Sequence, residues 1–242
     1  MAITTTISDK AGERSVTMSS AEKLLTVLGQ KKQVWTVLFN GATTTLSAGS
    51  EASLDNLQDN ALTVEMWIRN DAHILYSSFV DKGPNGLLVQ RINATTLYCV
   101  MPCATTAAAA TAAFLPDGIW RHLALTWDDA GDRKLRVWKD GVLVGTSGAG
   151  VGAVKDDSAT IMTFGCQYGL VVPILGAIGW HRVSNSVRYS ATFTPPSRLS
   201  YPANDVNTVR LFKVNEGTGT TIIDYSTNAQ NETLANGSWS KN

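Results

Sequence analysis

The sequence predicts an all-β protein: a two-sheet antiparallel sandwich preceded by an extended arm and a short helix. Three observations lead there. Gly118 to Gly145 holds three alternating apolar runs, Ile119–Trp127, Lys134–Lys139 and Val142–Gly145, joined by an acidic Gly-containing turn and by Asp140-Gly141. This is the pattern of consecutive strands with tight connections. Similar short runs, each bounded by turn residues, recur from Trp35 onward. The chain has 242 residues, 44% hydrophobic and 17% charged, a size and composition that one sandwich with a substantial core can use.

Residues 1–34 differ from the remainder. Ile3 to Ile7 is Thr-rich and extended in character. Ser19-Ser-Ala-Glu22 has the form of a capping box, in which the Ser hydroxyl accepts from a first-turn amide and Glu22 reaches back. Leu24, Leu25 and Leu28 follow at helical spacing and Gly29 stops the run, so a helix is predicted near 20–28 with an apolar stripe that must be buried. The expected division is 1–34, arm and short helix, and 35–242, sandwich.

From Trp35 the period changes to two. Val34–Phe39 and Thr43–Leu46 flank the turn Asn40-Gly41. Leu62 to Arg69 alternates, with Leu62, Val64, Met66 and Ile68 on one face and Thr63, Glu65, Trp67 and Arg69 on the other. Further strands are expected over 74–80, 87–92, 97–101, 119–127, 134–139, 142–146, 160–166 and 174–183. Thr105 to Ala113 is Ala-rich and locally favours helix, but its neighbours are all strands and no cap precedes it, so an extended segment is expected. Thr194-Pro-Pro196 ends the ladder, because proline cannot donate to it.

Two phrases resemble the laminin-G-like, concanavalin-A-like sandwich family. One is Trp120-x-His122-Leu-Ala-Leu followed by a strand ending Asp140-Gly-Val-Leu-Val. The other is Phe212-x-x-x-Glu216-Gly-x-Gly-Thr-Thr, then Asp224-x-Ser226, then Thr233-Leu-x-x-Gly237. The resemblance covers about residues 35–239 and implies a jelly-roll sandwich. The second phrase usually opens such a domain, yet here it follows Gly176–Val183, which resembles the closing strand. A circularly permuted order or the start of a truncated repeat would both account for this.

The sequence excludes several functions. Lys and Arg number 20, as do Asp and Glu, for a net charge of +0, so no overall field favours nucleic acid or an anionic membrane. No apolar run approaches the roughly 20 residues of a membrane span. Three cysteines are too few for a disulfide scaffold and complete no zinc set; buried thiols and a single disulfide both remain open. The acid cluster that glucanases of this fold carry on one strand is missing, as is a Gly-x-Ser-x-Gly elbow, so no catalytic residue and no enzyme activity is expected. His122 and His181 are expected to pack or to hydrogen-bond within the core.

The resemblance also implies a possible rim Ca²⁺ site, with Asp128, Asp129 and Asp132 as candidate ligands. The Asp55/Asp59 and Asp156/Asp157 pairs are further candidates. Against it stand the turn-forming habit of Asp and the replacement of the family's Ile-Asp-Glu by Ile178-Gly179-Trp180; otherwise no cofactor is expected. Candidate ligand-binding residues are Glu65, Trp67, Arg69 and Trp239. The Glu65 face of its strand is either open or a second buried face.

The leading expectation is a non-enzymatic virion or surface structural protein, a phage capsid decoration or a tail or fibre component. The N-terminus lacks the basic and apolar regions of an export signal, so such a protein would be made in the host cytoplasm and would end on an extracellular particle. Its arm, through Ile3, Ile7, Leu24, Leu25 and Leu28, would contact other structural subunits, most simply in a homo-oligomer. The alternative is a carbohydrate-binding or adhesion module for cell-surface glycan, which needs an exposed Trp or Tyr beside Asn or Asp at a loop rim. A glycoside hydrolase is a third, weaker expectation.

Overall fold

The computed structural model describes residues 3–9, 12–18, 33–111 and 118–241. The chain divides into two compact units, Met1–Val34 and Trp35–Asn242. In the first, β1 (Ile3–Asp9) and β2 (Gly12–Met18) form an antiparallel hairpin in which Ile3 faces Met18 and Asp9 faces Gly12. The expected helix over 20–28, with Leu24, Leu25 and Leu28, lies outside the described residues.

The second unit begins with β3 (Trp35–Asn40), β4 (Thr45–Gly49), β5 (Ala61–Ala72), β6 (Ser78–Asp81), β7 (Leu88–Arg91) and β8 (Leu97–Met101). It continues with β9 (Cys103–Thr105), β10 (Ala107–Thr111), β11 (Trp120–Asp128), β12 (Lys134–Lys139), β13 (Val142–Ala149) and β14 (Val151–Val154). The last strands are β15 (Met162–Phe164), β16 (Leu175–Ser184), β17 (Thr208–Phe212), β18 (Thr221–Ile222), β19 (Glu232–Ala235) and β20 (Ser238–Lys241). One sheet has the order β10-β8-β7-β6-β15-β4-β19-β18. The other runs β13-β12-β11-β5-β16-β3-β20, with β17 also pairing β16. β9 and β14 make a small ribbon.

The period-two pattern of β5 is realised as expected. Leu62, Val64, Met66 and Ile68 are all buried between the sheets, with Leu123, Leu125 and Trp127 beside them on β11 and Phe39, Leu46, Val89, Cys99 and Phe164 among those that complete the core. Such a core carries most of the stability, because each large apolar side chain gains about 1.5–3 kcal/mol on full burial. The Trp127 indole N–H donates to the Gln58 carbonyl at 2.9 Å, so its one polar atom is satisfied inside. Ala107 and Ala109 alternate into the same core from β10: sheet context overrides the helical preference of alanine. Cys99, Cys103 and Cys166 are free and buried, which removes the disulfide alternative.

Two expectations change. The strand expected over 74–80 begins only at Ser78. Residues 74–77 turn instead, with Ser77 N donating to the Ile74 carbonyl at 3.2 Å and Tyr76 at φ 62°. The C-terminal segment starts no second domain. β19 pairs β4, β20 pairs β3 and β17 pairs β16, so residues 208–241 supply strands to both sheets. Trp35 and Lys241 are direct partners, the closeness of ends that a permuted chain order requires.

The outer face of the β5 sheet carries a second buried layer. The connection between β16 and β17, residues 185–207, crosses it as a strap. Trp67 Nε1 donates to Pro196 O at 3.0 Å and Trp180 Nε1 to Ser197 O at 3.1 Å. Tyr189 and Phe193 of the strap stack at 3.5 Å, and the His122 ring lies within 6.5 Å of both and of Trp67 and Trp180. At the centre sits Glu65, 0% exposed. It accepts from Arg182 Nε at 2.7 Å and Tyr189 Oη at 2.8 Å, and His122 Nε2 lies 3.1 Å away. Burial works to raise the Glu65 carboxyl, but the His122 contact, the Arg182 charge and the Tyr189 hydroxyl together hold it below the ordinary carboxylate value.

Two predictions follow from this layer. Gly141 stands at φ 82° after Asp140 at φ 50°, the two left-handed residues of a tight hairpin turn, and a Cβ there would lie 1.8 Å from the Phe193 carbonyl oxygen. Gly141→Ala is expected to cost about 2–4 kcal/mol by combining left-handed strain with displacement of the strap, read from urea unfolding. Glu65→Gln strands the buried Arg182 charge and should cost about 3–5 kcal/mol at neutral pH. Because the folded pKa of Glu65 is depressed, its contribution is full above the ordinary carboxylate range, begins to fall as pH drops into that range, and is gone only below the lowered folded value. Unfolding at pH 7 and pH 4 should therefore show a steeper acid loss in the parent than in Glu65→Gln.

Candidate functional site

The strap leaves one end of the outer face open. There Leu38, Asn40, Thr44, Arg69, Asp71, Leu175, Gly176, Asn236 and Ser238 are among the residues lining a groove of about 360 Å³. Sheet register places them. Ala177 pairs both Arg69 and Leu38, and Ser238 pairs Leu38, so β5, β16, β3 and β20 each contribute to one surface. Gly176 lets the strands close up, since a Cβ on it would meet the Arg69 carbonyl at 2.0 Å.

The groove walls are pre-formed. Asn40 Oδ1 accepts from the amides of Ala42, Thr43 and Thr44 at 2.8–3.2 Å, closing the β3–β4 turn. Thr44 Oγ1 donates to the Asn236 carbonyl at 2.9 Å, and Asn236 Nδ2 donates to Thr43 O at 3.2 Å, which fastens this turn to the β19–β20 turn. Arg69 grips Asp71 with two hydrogen bonds, Nε to Oδ1 at 2.6 Å and Nη2 to Oδ2 at 2.8 Å. The Ser238 hydroxyl is exposed across the groove. Polar groups held by one another in this way meet a ligand with little loss of side-chain freedom.

Beside the groove stands an apolar rim. A Cβ on Gly41 would touch Leu175 Cβ at 3.2 Å and Ile74 Cδ1 at 3.6 Å, so the β5–β6 loop borders the groove wall. This loop and the β15–β16 loop expose Leu75, Tyr76, Tyr168, Leu170 and Val171 by 42–51% each. Tyr76, Leu170 and Val172 have φ of 62°, 58° and 47°, a region costly for non-glycine residues. The conformation is held by Gln90 Nε2 and Gln167 Nε2, which both donate to the Tyr76 carbonyl, at 3.1 and 2.8 Å. Gln167 N donates to Val171 O at 2.9 Å. Two glutamine amides thus fix the Tyr76 backbone, and Tyr76 and Tyr168 are both exposed.

The sequence candidates separate. Arg69 lines the groove. Trp67 and Glu65 share its strand face but lie under the strap, engaged as described above, so that face is largely a second buried one. Trp239 packs against the main core and donates its indole N–H to Gly219 O at 3.0 Å. Asp128 caps its own turn by accepting from Gly131 N, Asp129 pairs Arg133, and Asp132 pairs Arg136. The Arg136 hydrogen bond holds Asp132 below the usual carboxylate range. Among the described residues no group of three or more His, Cys, Asp or Glu side chains is placed to hold a metal ion. Asp55 and Asp157 face the buried Lys82 ammonium, at 3.7 and 3.2 Å, instead of a cation site. His181 is buried against Phe164 and Phe212, 2.9 Å from both oxygens of the buried Glu232. Burial raises the Glu232 carboxyl, partly offset by His181. Asp71 is the one carboxylate lining the groove among the described residues, whereas glycoside hydrolysis uses two. Among the described residues no helix is long and apolar enough to cross a membrane.

The exposed tyrosines escaped the sequence reading because loop positions carry no periodic signal. The available clue was an aromatic next to turn residues, as in Tyr168-Gly169.

Comparison with known proteins agrees with this architecture. The family model described as the concanavalin A-like lectin/glucanases superfamily matches residues 15–192, more than half of the chain. No curated protein matches the sequence. Among solved structures, a proposed carbohydrate-binding protein from Bacteroides ovatus superposes with a TM-score of 0.65 at 14% identity, covering 95% of this chain; the chain spans 63% of that protein's length. The CBM40 module of the Ruminococcus gnavus IT-sialidase gives a TM-score of 0.46 at 16% identity, over 64% of this chain and 92% of that one. At 14% identity the likeness to the Bacteroides ovatus protein carries the fold alone. The strand order, the two-layer core and the family match together place the chain in the concanavalin A-like lectin/glucanase superfamily.

Proposed function

We propose that the sandwich is a non-enzymatic carbohydrate-binding or adhesion module. One observation carries this reading: a pre-formed polar groove with a guanidinium–carboxylate fork and the exposed Ser238 across it, in a sandwich whose β5–β6 and β15–β16 loops expose Tyr76 and Tyr168. Sugars offer hydroxyls to groups of this kind and stack their C–H faces on aromatic rings. The single groove carboxylate supports binding over hydrolysis. The description of the Bacteroides ovatus structure lends support at the level of fold.

A glycan array tests the reading, and an array without hits sinks it. For any glycan that binds, Asp71→Asn and Tyr168→Ala are each expected to weaken affinity about tenfold, about 1.4 kcal/mol. Titration calorimetry measures both, with melting temperature as the control for folding.

A second reading, compatible with the first, is assembly on a particle. The β1–β2 hairpin belongs to a unit distinct from the sandwich, and a lone two-stranded hairpin is marginal in water. We propose that residues 1–34 bind other structural subunits, including copies of this chain, and that the chain is displayed on a virion surface. Deleting residues 1–34 is expected to reduce oligomer size in light scattering and to block particle incorporation. Unchanged size and incorporation would overturn it.

A further inference from the structure

Two guanidinium groups meet at one indole beside the groove. Arg198, near the end of the strap, lies 4.6 Å from the centroid of the Trp120 ring; Arg69 lies 5.7 Å from it. Trp120 and Arg69 are cross-strand partners, so the cluster is fixed by the β5–β11 register. Arg69 has its anion in Asp71. Arg198 has none: its Nη1 is buried without a hydrogen-bond partner, and no ion pair involves it among the described residues. Burial, and then the charge of Arg69, holds Arg198 below the usual guanidinium range.

A half-buried cation that lacks a counter-ion and faces a like charge is costly. Stacking on Trp120 offsets part of this cost but leaves the guanidinium donors without an acidic partner. Their planar fork matches the paired oxygens of a carboxylate or a sulfate group. Arg69 belongs both to this cluster and to the groove wall, so one ligand can place hydroxyls in the groove and an acidic substituent at Arg198.

We propose that Arg69, Trp120 and Arg198 form an anion subsite of the groove and select saccharides bearing a carboxylate or a sulfate. This deepens the glycan reading and rests on it. The groove supplies hydroxyl recognition, and the arginine pair supplies the preference for charge. Arg198 makes the direct contact, while Arg69 adds field and remains tied to Asp71.

The test applies the full chain to an array of neutral, carboxylated and sulfated glycans, followed by titration of the best binder and its neutral counterpart, a methyl ester or a desulfated form. The acidic form is expected to bind at least tenfold tighter, with the advantage shrinking at high salt. The array separates carboxylate from sulfate as the source of the charge. Arg198→Gln should abolish the preference while changing affinity for the neutral form less than twofold. Arg198→Lys, which keeps the charge but not the fork, should retain part of it. Melting curves confirm that each variant is folded. Equal binding of acidic and neutral forms by the parent, or an intact preference in Arg198→Gln, overturns the subsite and leaves the glycan reading standing. Failure to bind any glycan overturns both.

Discussion

The buried carboxylate of Glu65 is the constraint on which the outer half of the molecule depends. It sits on β5, takes hydrogen bonds from Arg182 on β16 and Tyr189 on the strap, and faces His122 on β11. A charge this deep is tolerable only when every side of it is answered, and the groups that answer it come from three separate stretches of chain. The aromatic layer formed by Trp67, His122, Trp180, Tyr189 and Phe193 closes around that network and keeps water out. Where the layer stops, the open groove begins, so the length of the strap sets the extent of the available surface.

The open end differs in character from the rest. Here two loops hold bulky residues in left-handed conformations and turn tyrosine and aliphatic side chains toward solvent. Strain and apolar exposure at one place both work against stability, and folded proteins keep them chiefly where contact with another molecule compensates. The groove next to it is rigid for a different reason, since its turns are fastened to each other by Thr44 and Asn236.

Much of the sandwich was legible in the sequence because strand alternation reports burial directly. Leu62, Val64, Met66 and Ile68 could be assigned to one face, and Asp140-Gly141 to a hairpin turn, without knowing the partners. The opposite face of β5 was not legible. What Glu65 meets is decided by residues 57 to 124 positions away, and no local pattern encodes that distance. Ile74 to Ser77 read as a strand because its composition is apolar; its reversal depends on contacts to Arg91 of β7 and to Gln167 of the β15–β16 loop. The groove was half visible: Arg69 was a candidate, whereas Asp71 joins it through its bond to Arg69 on the same strand, and Asn236 and Ser238 only through the turn bond to Thr44 and the register of β20 on β3. Asp128, Asp129 and Asp132 carry a spacing suggestive of a cation, and in the structure Asp129 and Asp132 pair with local arginines while Asp128 caps a turn.

The pairing of Trp35 with Lys241 has a mechanical consequence. Because β3 and β20 are antiparallel, the chain enters and leaves the sandwich at the same end of one strand pair. Tension applied between entry and exit therefore loads the cross-strand bonds singly, from Lys241 toward Ser238, instead of all together along the strands. A domain tethered by both ends would peel open at low force. One held by a single end, with its groove facing outward, would transmit load through the attached strand and leave that zipper closed.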